Sequence, residues 1–114
     1  MPPSVEDRLQ DILASIEEIE DVLQGAGFDQ FSANRRMRLL IERLLEIVCE
    51  AARRLLEHIK LEEPAIEWRE MIDFANRLRH AYHTTDVKIV WDIIENHLPT
   101  LKSVAQRRIR EAGK

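Results

Sequence analysis

The spacing of apolar residues near the N-terminus constrains the fold of this chain more than any other feature of its sequence. Five apolar residues recur there at intervals of three and four: Leu9, Ile12, Ile16, Ile19 and Leu23. This interval places side chains on one face of an α-helix. Ser4, followed three residues later by Asp7, predicts a capped helix start, and Gly25 and Gly27 predict its end. The chain therefore begins with an amphipathic helix that buries one stripe.

A longer second helix is predicted to run from Ser32, as its N-cap, to about Lys60. Residues 28–31, which precede it, are predicted to form a short connection with both phenylalanine rings turned inward. The apolar positions of the second helix are Met37, Leu40, Ile41, Leu44, Leu45, Ile47, Val48, Ala51, Ala52, Leu55, Leu56 and Ile59. These positions cover more than one face, and such a helix packs against several neighbours or against another subunit.

The second half of the chain is also predicted to be helical. Pro64 cannot continue the second helix, so a third is expected over residues 67–83. Residues 84–86 supply a turn and the next N-cap. Residues 87–94 are rich in β-branched side chains. Their apolar positions nevertheless keep helical spacing, and no second strand exists to pair with them, so we predict a helix there.

The predicted architecture is an all-α, antiparallel four-helix bundle formed by a single domain, residues 1–114. Its last helix is broken near Pro99, after an interruption at Asn96 and His97. A chain of 114 residues can bury one hydrophobic core, although a partner subunit would add to it. The single cysteine, Cys49, excludes an internal disulfide, and neither a membrane-spanning run nor a signal peptide is visible. We therefore expect a cytoplasmic protein.

The net charge of −4 is unevenly distributed along the chain. Residues 1–31 carry eight acids against one base, Arg8, whereas residues 100–114 carry five bases against one acid. The overall charge does not indicate a nucleic-acid-binding protein. The C-terminal bases, together with Arg35, Arg36 and Arg38, could still form a basic surface that attracts phosphate. Solvated helix faces are an equally simple interpretation of the same charges.

One short stretch of the third helix carries most of the chemically active side chains. In a helix, one polar stripe would contain Asn76, Arg79, His80 and His83. The other side would carry Met71, Phe74, Ala75, Leu78 and Tyr82. Histidine transfers protons near neutral pH, arginine binds phosphate oxygens bidentately, and asparagine orients a partner. This combination suits RNA cleavage without a metal, in which the ribose 2′-hydroxyl attacks the neighbouring phosphorus.

Other interpretations of these residues are weighed beside this one. His80 and His83 could be two metal ligands one turn apart, but no cysteine or acid is visibly placed to complete the set, and we predict neither a metal nor a cofactor. A lone histidine on a helix is usually structural. Glu50 lies at the centre of the apolar pattern of the second helix, where a carboxylate is costly unless it is paired. It could pair with an arginine or histidine near the site, or simply face water.

The sequence resembles the HepT family of HEPN-domain proteins along nearly its whole length. The segments that carry the resemblance are residues 11–13, 46–52, 68–69, 76–82 (Asn-Arg-Leu-Arg-His-Ala-Tyr), 90–96 and 98–101. The resemblance implies a small all-helical homodimer, often a toxin. It also implies a partner, the minimal nucleotidyltransferase that is encoded beside such proteins and serves as antitoxin.

The ribonuclease motif of that family is an arginine, four further residues, a histidine, any residue and a tyrosine, with asparagine commonly after the arginine. Asn76, His80 and Tyr82 match this pattern, but Ala75 stands where the motif has its arginine. Arg79 shares the helical face of His80 and could substitute. It could equally be a structural residue in a chain that has lost nuclease activity.

The resemblance therefore implies a metal-independent endoribonuclease toxin that acts on RNA. His80 would be the general acid and base, Arg79 the phosphate clamp, and Asn76 an orienting residue. Tyr82 is the expected site at which the nucleotidyltransferase adds AMP. Supporting roles are expected for Arg77, His83 and Glu50. The alternative is a catalytically inactive binding module that docks a nucleotidyltransferase or a nucleotide.

Overall fold

The structure is a computed structural model that describes residues 4–80 and 86–113, and for Arg79 and His80 the backbone alone. The described residues form seven α-helices and one π-helical turn, with no strand: α1 Val5–Leu23, α2 Phe28–Ala33, α3 Arg35–Arg53, α4 Glu57–Glu62, α5 Trp68–His80, α6 Val87–Asp92, the π turn Ile93–His97 and α7 Leu98–Ala112. This confirms the predicted all-α architecture. No helix within the described ranges is long and apolar enough to cross a membrane.

Helix α1 begins and ends as its sequence predicts. The backbone N–H of Asp7 donates to Ser4 Oγ, and the N–H of Ser4 donates to Asp7 Oδ2, both at 3.1 Å. This reciprocal capping box satisfies two N–H groups that the helix itself leaves without partners. At the other end, Gln24 (φ 46°) and Gly25 (φ 78°) adopt the left-handed conformation that commonly terminates a helix.

The predicted connection at residues 28–31 is wrong, because these residues are the first part of α2. Ser32 lies inside this helix and does not cap α3; the cap is Asn34, whose Oδ1 accepts the backbone N–H of Met37 at 3.1 Å. Only Asn34 separates the two helices. Phe31 is fully buried, as predicted, whereas Phe28 is half-buried.

The predicted end of the second helix near Lys60 is also wrong. Helix α3 ends at Arg53, and α4 begins at Glu57 after a short turn. The Lys60 ammonium donates to the Arg53 carbonyl at 3.0 Å, which satisfies a carbonyl exposed by the end of α3. Leu55 in the turn and Ile59 in α4 are both buried. Apolar spacing continues across the turn, so it does not reveal the break.

The last helices follow the prediction more closely. Asp86 caps α6 by accepting the backbone N–H of Lys88 at 2.9 Å, while Thr84 and Thr85 lie outside the described residues. The expected interruption at Asn96 and His97 falls within the π turn Ile93–His97. Pro99 occupies the first turn of α7, where its missing N–H costs nothing.

Four helices, α1, α3, α5 and α7, form the bundle. Helices α1 and α3 are antiparallel, since Arg8 near the start of α1 and Arg54 just after α3 line one cavity. Helix α7 packs on α1, and the ion pair from Lys102 to Glu20 joins the start of α7 to the end of α1 at 2.8 Å. Helix α5 packs mainly on α3. The position of α5 is therefore set by α3.

Glu63 ties the region after α4 to the C-terminal helix. Glu63 is only 7% exposed, and its carboxylate accepts hydrogen bonds from both Arg107 and Arg108. Burial by itself raises the pKa of Glu63, but the bonds from the two guanidiniums lower it below the ordinary value. Nearby, the indole N–H of Trp68 donates to the carbonyls of Lys60 and Glu63, each at 3.1 Å. These contacts fix the start of α5.

Replacing Glu63 by Gln is expected to lower the free energy of unfolding at neutral pH by about 1–3 kcal/mol, because two arginines lose a buried carboxylate. The pKa of an unfolded-state glutamate is about 4.3, and the folded-state pKa of Glu63 is lowered. Its charge therefore stabilises the fold above the unfolded value, and this contribution is lost as pH falls through the folded-state pKa. Urea unfolding from pH 7 downward should show the difference between the two proteins shrinking below about pH 4.

Glu62→Gln is the matched control, because Glu62 is half-exposed and, among the described residues, bonds only Arg108. Its expected effect is about 0–0.5 kcal/mol. Equal effects of the two substitutions, or a difference that does not change with pH, would contradict the role assigned to Glu63.

Candidate functional site

Helix α5 has two chemically distinct sides, as the sequence predicts. Met71, Phe74 and Ala75 are buried in the core, whereas Asn76 and Arg77 are exposed. The helical backbone continues through Arg79 and His80, so positions 76 and 80 lie one turn apart on the same side. The side chains of Arg79 and His80, and the whole of Tyr82 and His83, lie outside the described residues. The roles of these four residues stay predictions.

Glu50 is paired with two arginines that follow it in the chain. Arg53 donates to its carboxylate from Nη2 at 2.7 Å and from Nε at 3.3 Å, and Arg54 donates from Nε at 2.8 Å. The bonds from Arg53 and then Arg54 hold the pKa of Glu50 at about 2. Glu50 is therefore ionised throughout the neutral range and is a poor proton acceptor there.

A cavity of about 350 Å³ lies between α1, α3 and α5, and we call it the Ala75 cavity. Its apolar lining consists of Ile47, Ala51 and Ala75, and its charged lining of Arg8, Asp11, Arg43, Glu46, Glu50 and Arg54. Ala75 is 1% exposed and presents only a methyl group. The residue that departs from the family motif thus contributes to the wall of a charged cavity.

Of the residues that line this cavity, only Glu50 and Ala75 are singled out by the sequence. Arg8, Arg43 and Arg54 lie far from α5 in sequence, and only the packing of α1 and α3 beside α5 brings them together. One weak signal was present: Arg8 is the only base among the first 31 residues, where eight acids surround it. A lone base in an acidic segment is therefore a candidate binding residue.

Part of the predicted basic surface is engaged in contacts within the fold. Arg107 and Arg108 are bonded to the carboxylates at the end of α4, and Lys102 is bonded to Glu20. Arg38 donates to the carbonyl of Ser32 at 2.9 Å and so stabilises the junction of α2 and α3. These four bases therefore contribute to the stability of the fold.

The described part of the chain supports neither a metal site nor a nucleophilic cysteine. Among residues 4–80 and 86–113, no group of three or more His, Cys, Asp or Glu side chains is arranged to hold a metal ion. Cys49 is buried, and burial raises the pKa of its thiol to about 12. A thiol that stays protonated in the core is not a nucleophile.

Comparison with known proteins places the chain in a family. The profile described as Ribonuclease HepT-like matches residues 12–108. A protein of Thermococcus cleftensis named "Probable ribonuclease HepT" is 34% identical over 102 residues, which cover 90% of this chain and 93% of the relative. "Putative RNase MJ1380" of Methanocaldococcus jannaschii is 30% identical over 94 residues, which cover 82% of this chain and 86% of the relative. No solved structure matches the chain.

The profile match takes in most of α1, all of α3 and α5, and most of α7, which are the four helices of the bundle. The relatives extend this agreement over most of both chains. The chain belongs to the ribonuclease HepT-like family.

Proposed function

We propose that this protein is a metal-independent endoribonuclease and the toxin of a toxin–antitoxin pair, with a minimal nucleotidyltransferase as its antitoxin. The observation that carries the proposal is helix α5, which buries Ala75 and exposes Asn76 one turn before His80, in a chain of a ribonuclease family. Relatives that cover most of the chain are named as ribonucleases. The partner and the mechanism are part of the proposal and are what the family resemblance implies.

In the proposed mechanism, His80 accepts the proton of a ribose 2′-hydroxyl, and the freed oxygen attacks the adjacent phosphorus. The bond from phosphorus to the 5′-oxygen breaks, and the leaving oxygen takes up the proton that His80 accepted, which returns His80 to its starting state. The products are a 2′,3′-cyclic phosphate and a 5′-hydroxyl, so no oxidant, metal or cofactor is needed. Arg79 stabilises the negative charge on the non-bridging oxygens, and Asn76 orients the reacting groups.

Arg77 and His83 add positive or titratable groups beside this site. Glu50, with a pKa of about 2, does not act as the base. Its proposed contribution is to hold the guanidiniums of Arg53 and Arg54 in place.

A second candidate function rests on Ala75. Without the motif arginine, the chain could dock a nucleotidyltransferase or a nucleotide and cleave nothing. The two functions differ in whether His80 is needed for RNA cleavage, and one assay separates them.

Purified protein incubated with labelled RNA in excess EDTA is expected to cleave it and leave 2′,3′-cyclic phosphate ends. His80→Ala and Arg79→Ala should each reduce the rate by about 10²–10³, because they remove the proton carrier and the cation. Asn76→Ala should reduce it less, since that side chain only orients. If the wild-type protein is as inactive as His80→Ala on every RNA tried, the ribonuclease proposal is wrong and the binding-module function replaces it.

The protein is also proposed to be a homodimer in which two copies of the motif face one cleft. The support is apolar surface on α3: Leu39 is 50% exposed and Leu40 is 47% exposed. Leu40 shares a helical stripe with Arg43 and Ile47, which line the Ala75 cavity. A second copy that covers these leucines would therefore lie close to the site.

Sedimentation equilibrium at micromolar concentration should give about twice the chain mass of 13.4 kDa. Leu40→Glu should shift the protein towards monomer, because a carboxylate would be buried without a partner. Leu61→Glu is the control, since Leu61 is an equally apolar residue that lies on α4 and is 81% exposed. A wild-type monomer at this concentration would remove the composite cleft from the proposal.

Tyr82 is proposed to accept AMP from the nucleotidyltransferase. Its phenolic oxygen would attack the α-phosphorus of ATP, pyrophosphate would leave, and the phenol proton would pass to solvent. The adduct would place bulk and negative charge two residues from His80 and repel the RNA backbone.

Co-expression with the cognate nucleotidyltransferase should raise the protein mass by one AMP and abolish RNA cleavage. Tyr82→Phe should prevent the mass increase and keep the protein active. Peptide mapping that finds the adduct on another residue, with Tyr82 unmodified, would contradict this assignment.

A further inference from the structure

We propose that the Ala75 cavity is a phosphate-binding subsite for the RNA strand, in which Arg8 and Arg54 hold a phosphate that neighbours the scissile one. The proposal rests on the proposed ribonuclease function, because it takes RNA as the ligand. It assigns a role in substrate binding to two residues outside the motif helix.

The volume and lining of the cavity are compatible with a small anionic group. Its volume of about 350 Å³ lies at the lower end of the range for small-ligand sites. Ala75 contributes a methyl group to its apolar lining, and Arg8 and Arg54 approach from α1 and from the end of α3. A longer side chain at position 75 would fill part of this space. The small residue therefore keeps the cavity open.

The arginines around the cavity differ in how far they are already engaged. Arg53 uses both Nε and Nη2 on Glu50, whereas Arg54 uses only Nε. Among the described residues, the two terminal nitrogens of Arg54 have no hydrogen-bond partner, and the guanidinium of Arg8 has none at all. Arg43 is paired with Glu46 at 3.4 Å. Arg8 and Arg54 are therefore the residues that retain N–H groups for a ligand.

The carboxylates around the cavity do not prevent anion binding. Glu46 is bonded to Arg43, and Glu50 is bonded to two guanidiniums. The lining itself contains three guanidiniums and three carboxylates, and Arg53 adds a further positive charge just outside it. Glu50 also anchors Arg54 at Nε and leaves its outer edge for a phosphate, which arginine binds bidentately. Two of the three lining carboxylates are therefore already paired with arginine, and Asp11 is the third. An anion that binds between Arg8 and Arg54 meets guanidinium N–H groups that these pairs leave available.

The distance to His80 determines which phosphate the cavity would hold. Position 80 lies about 7.5 Å further along an ideal helix than position 75 and about 140° around it. A phosphate between Arg8 and Arg54 is therefore displaced from the group on which His80 acts. We assign the cavity to an adjacent phosphate of the same strand, while Arg79 stays the proposed clamp on the scissile one.

The test uses the full-length protein in a His80→Ala background and a fluorescein-labelled single-stranded RNA, with binding measured by anisotropy over a range of salt concentrations. Arg8→Gln and Arg54→Gln should each weaken binding on the order of tenfold, as expected for a lost charge-assisted contact. Each should also reduce the slope of log K against log salt by about 0.7, the value for one phosphate contact on a single strand. A purely structural role would not change this slope.

Arg53→Gln is the matched control. It removes the same charge and the same kind of bond to Glu50, but Arg53 does not line the cavity. Its affinity should stay within about twofold of the parent, and its slope should be unchanged.

The inference is wrong if the Arg8→Gln and Arg54→Gln proteins bind RNA as tightly as Arg53→Gln. It is also wrong if the protein does not bind RNA at all. The ribonuclease function is judged separately, by whether cleavage by the wild type depends on His80. Cleavage with no effect of Arg8 and Arg54 would reject the subsite alone. Binding that requires both arginines, without cleavage, would support the subsite and reject the enzyme.

Discussion

The antiparallel packing of α1 on α3 is the interaction on which the rest of the structure depends. Ile12, Ile16 and Ile19 of α1 and Ile41, Leu45 and Val48 of α3 are all essentially inaccessible to solvent. Each such side chain stabilises the fold by about 1.5–3 kcal/mol relative to full exposure. Helix α5 packs on α3, and α7 packs on α1. Both the motif helix and the charged walls beside it are thus positioned by one apolar interface.

Local chemistry explains which parts of the fold the sequence predicts. The Ser4 and Asp7 cap, the Asp86 cap and Pro99 act within a few residues, and each marks a real helix start. The end of α3 has no such marker, because the apolar spacing continues from Leu55 to Ile59 through the turn. The Lys60 bond that stabilises the turn spans seven residues. The end of α3 therefore depends on contacts between residues far apart in the helix pattern, which the spacing of apolar residues does not indicate.

In the candidate site, too, the sequence predicts features that depend on nearby residues but not those that depend on tertiary packing. Helical spacing alone predicts that Ala75 is buried and that Asn76 is exposed, and the structure agrees. The roles of His80, Arg79 and Tyr82 come from the chemistry of their side chains and from the family motif, and they stay predictions. The Ala75 cavity could not be predicted, because Arg8 and Arg54 meet α5 only after the bundle forms.

The π turn Ile93–His97 sets the rotational phase of everything that follows it. A π turn accommodates about one more residue than an α turn, and one residue corresponds to roughly 100° of rotation. Arg107 and Arg108, which bond Glu63, lie at least ten residues beyond this turn. Removing or adding one residue within the π turn would therefore rotate both arginines by roughly 100° relative to the helices that precede it.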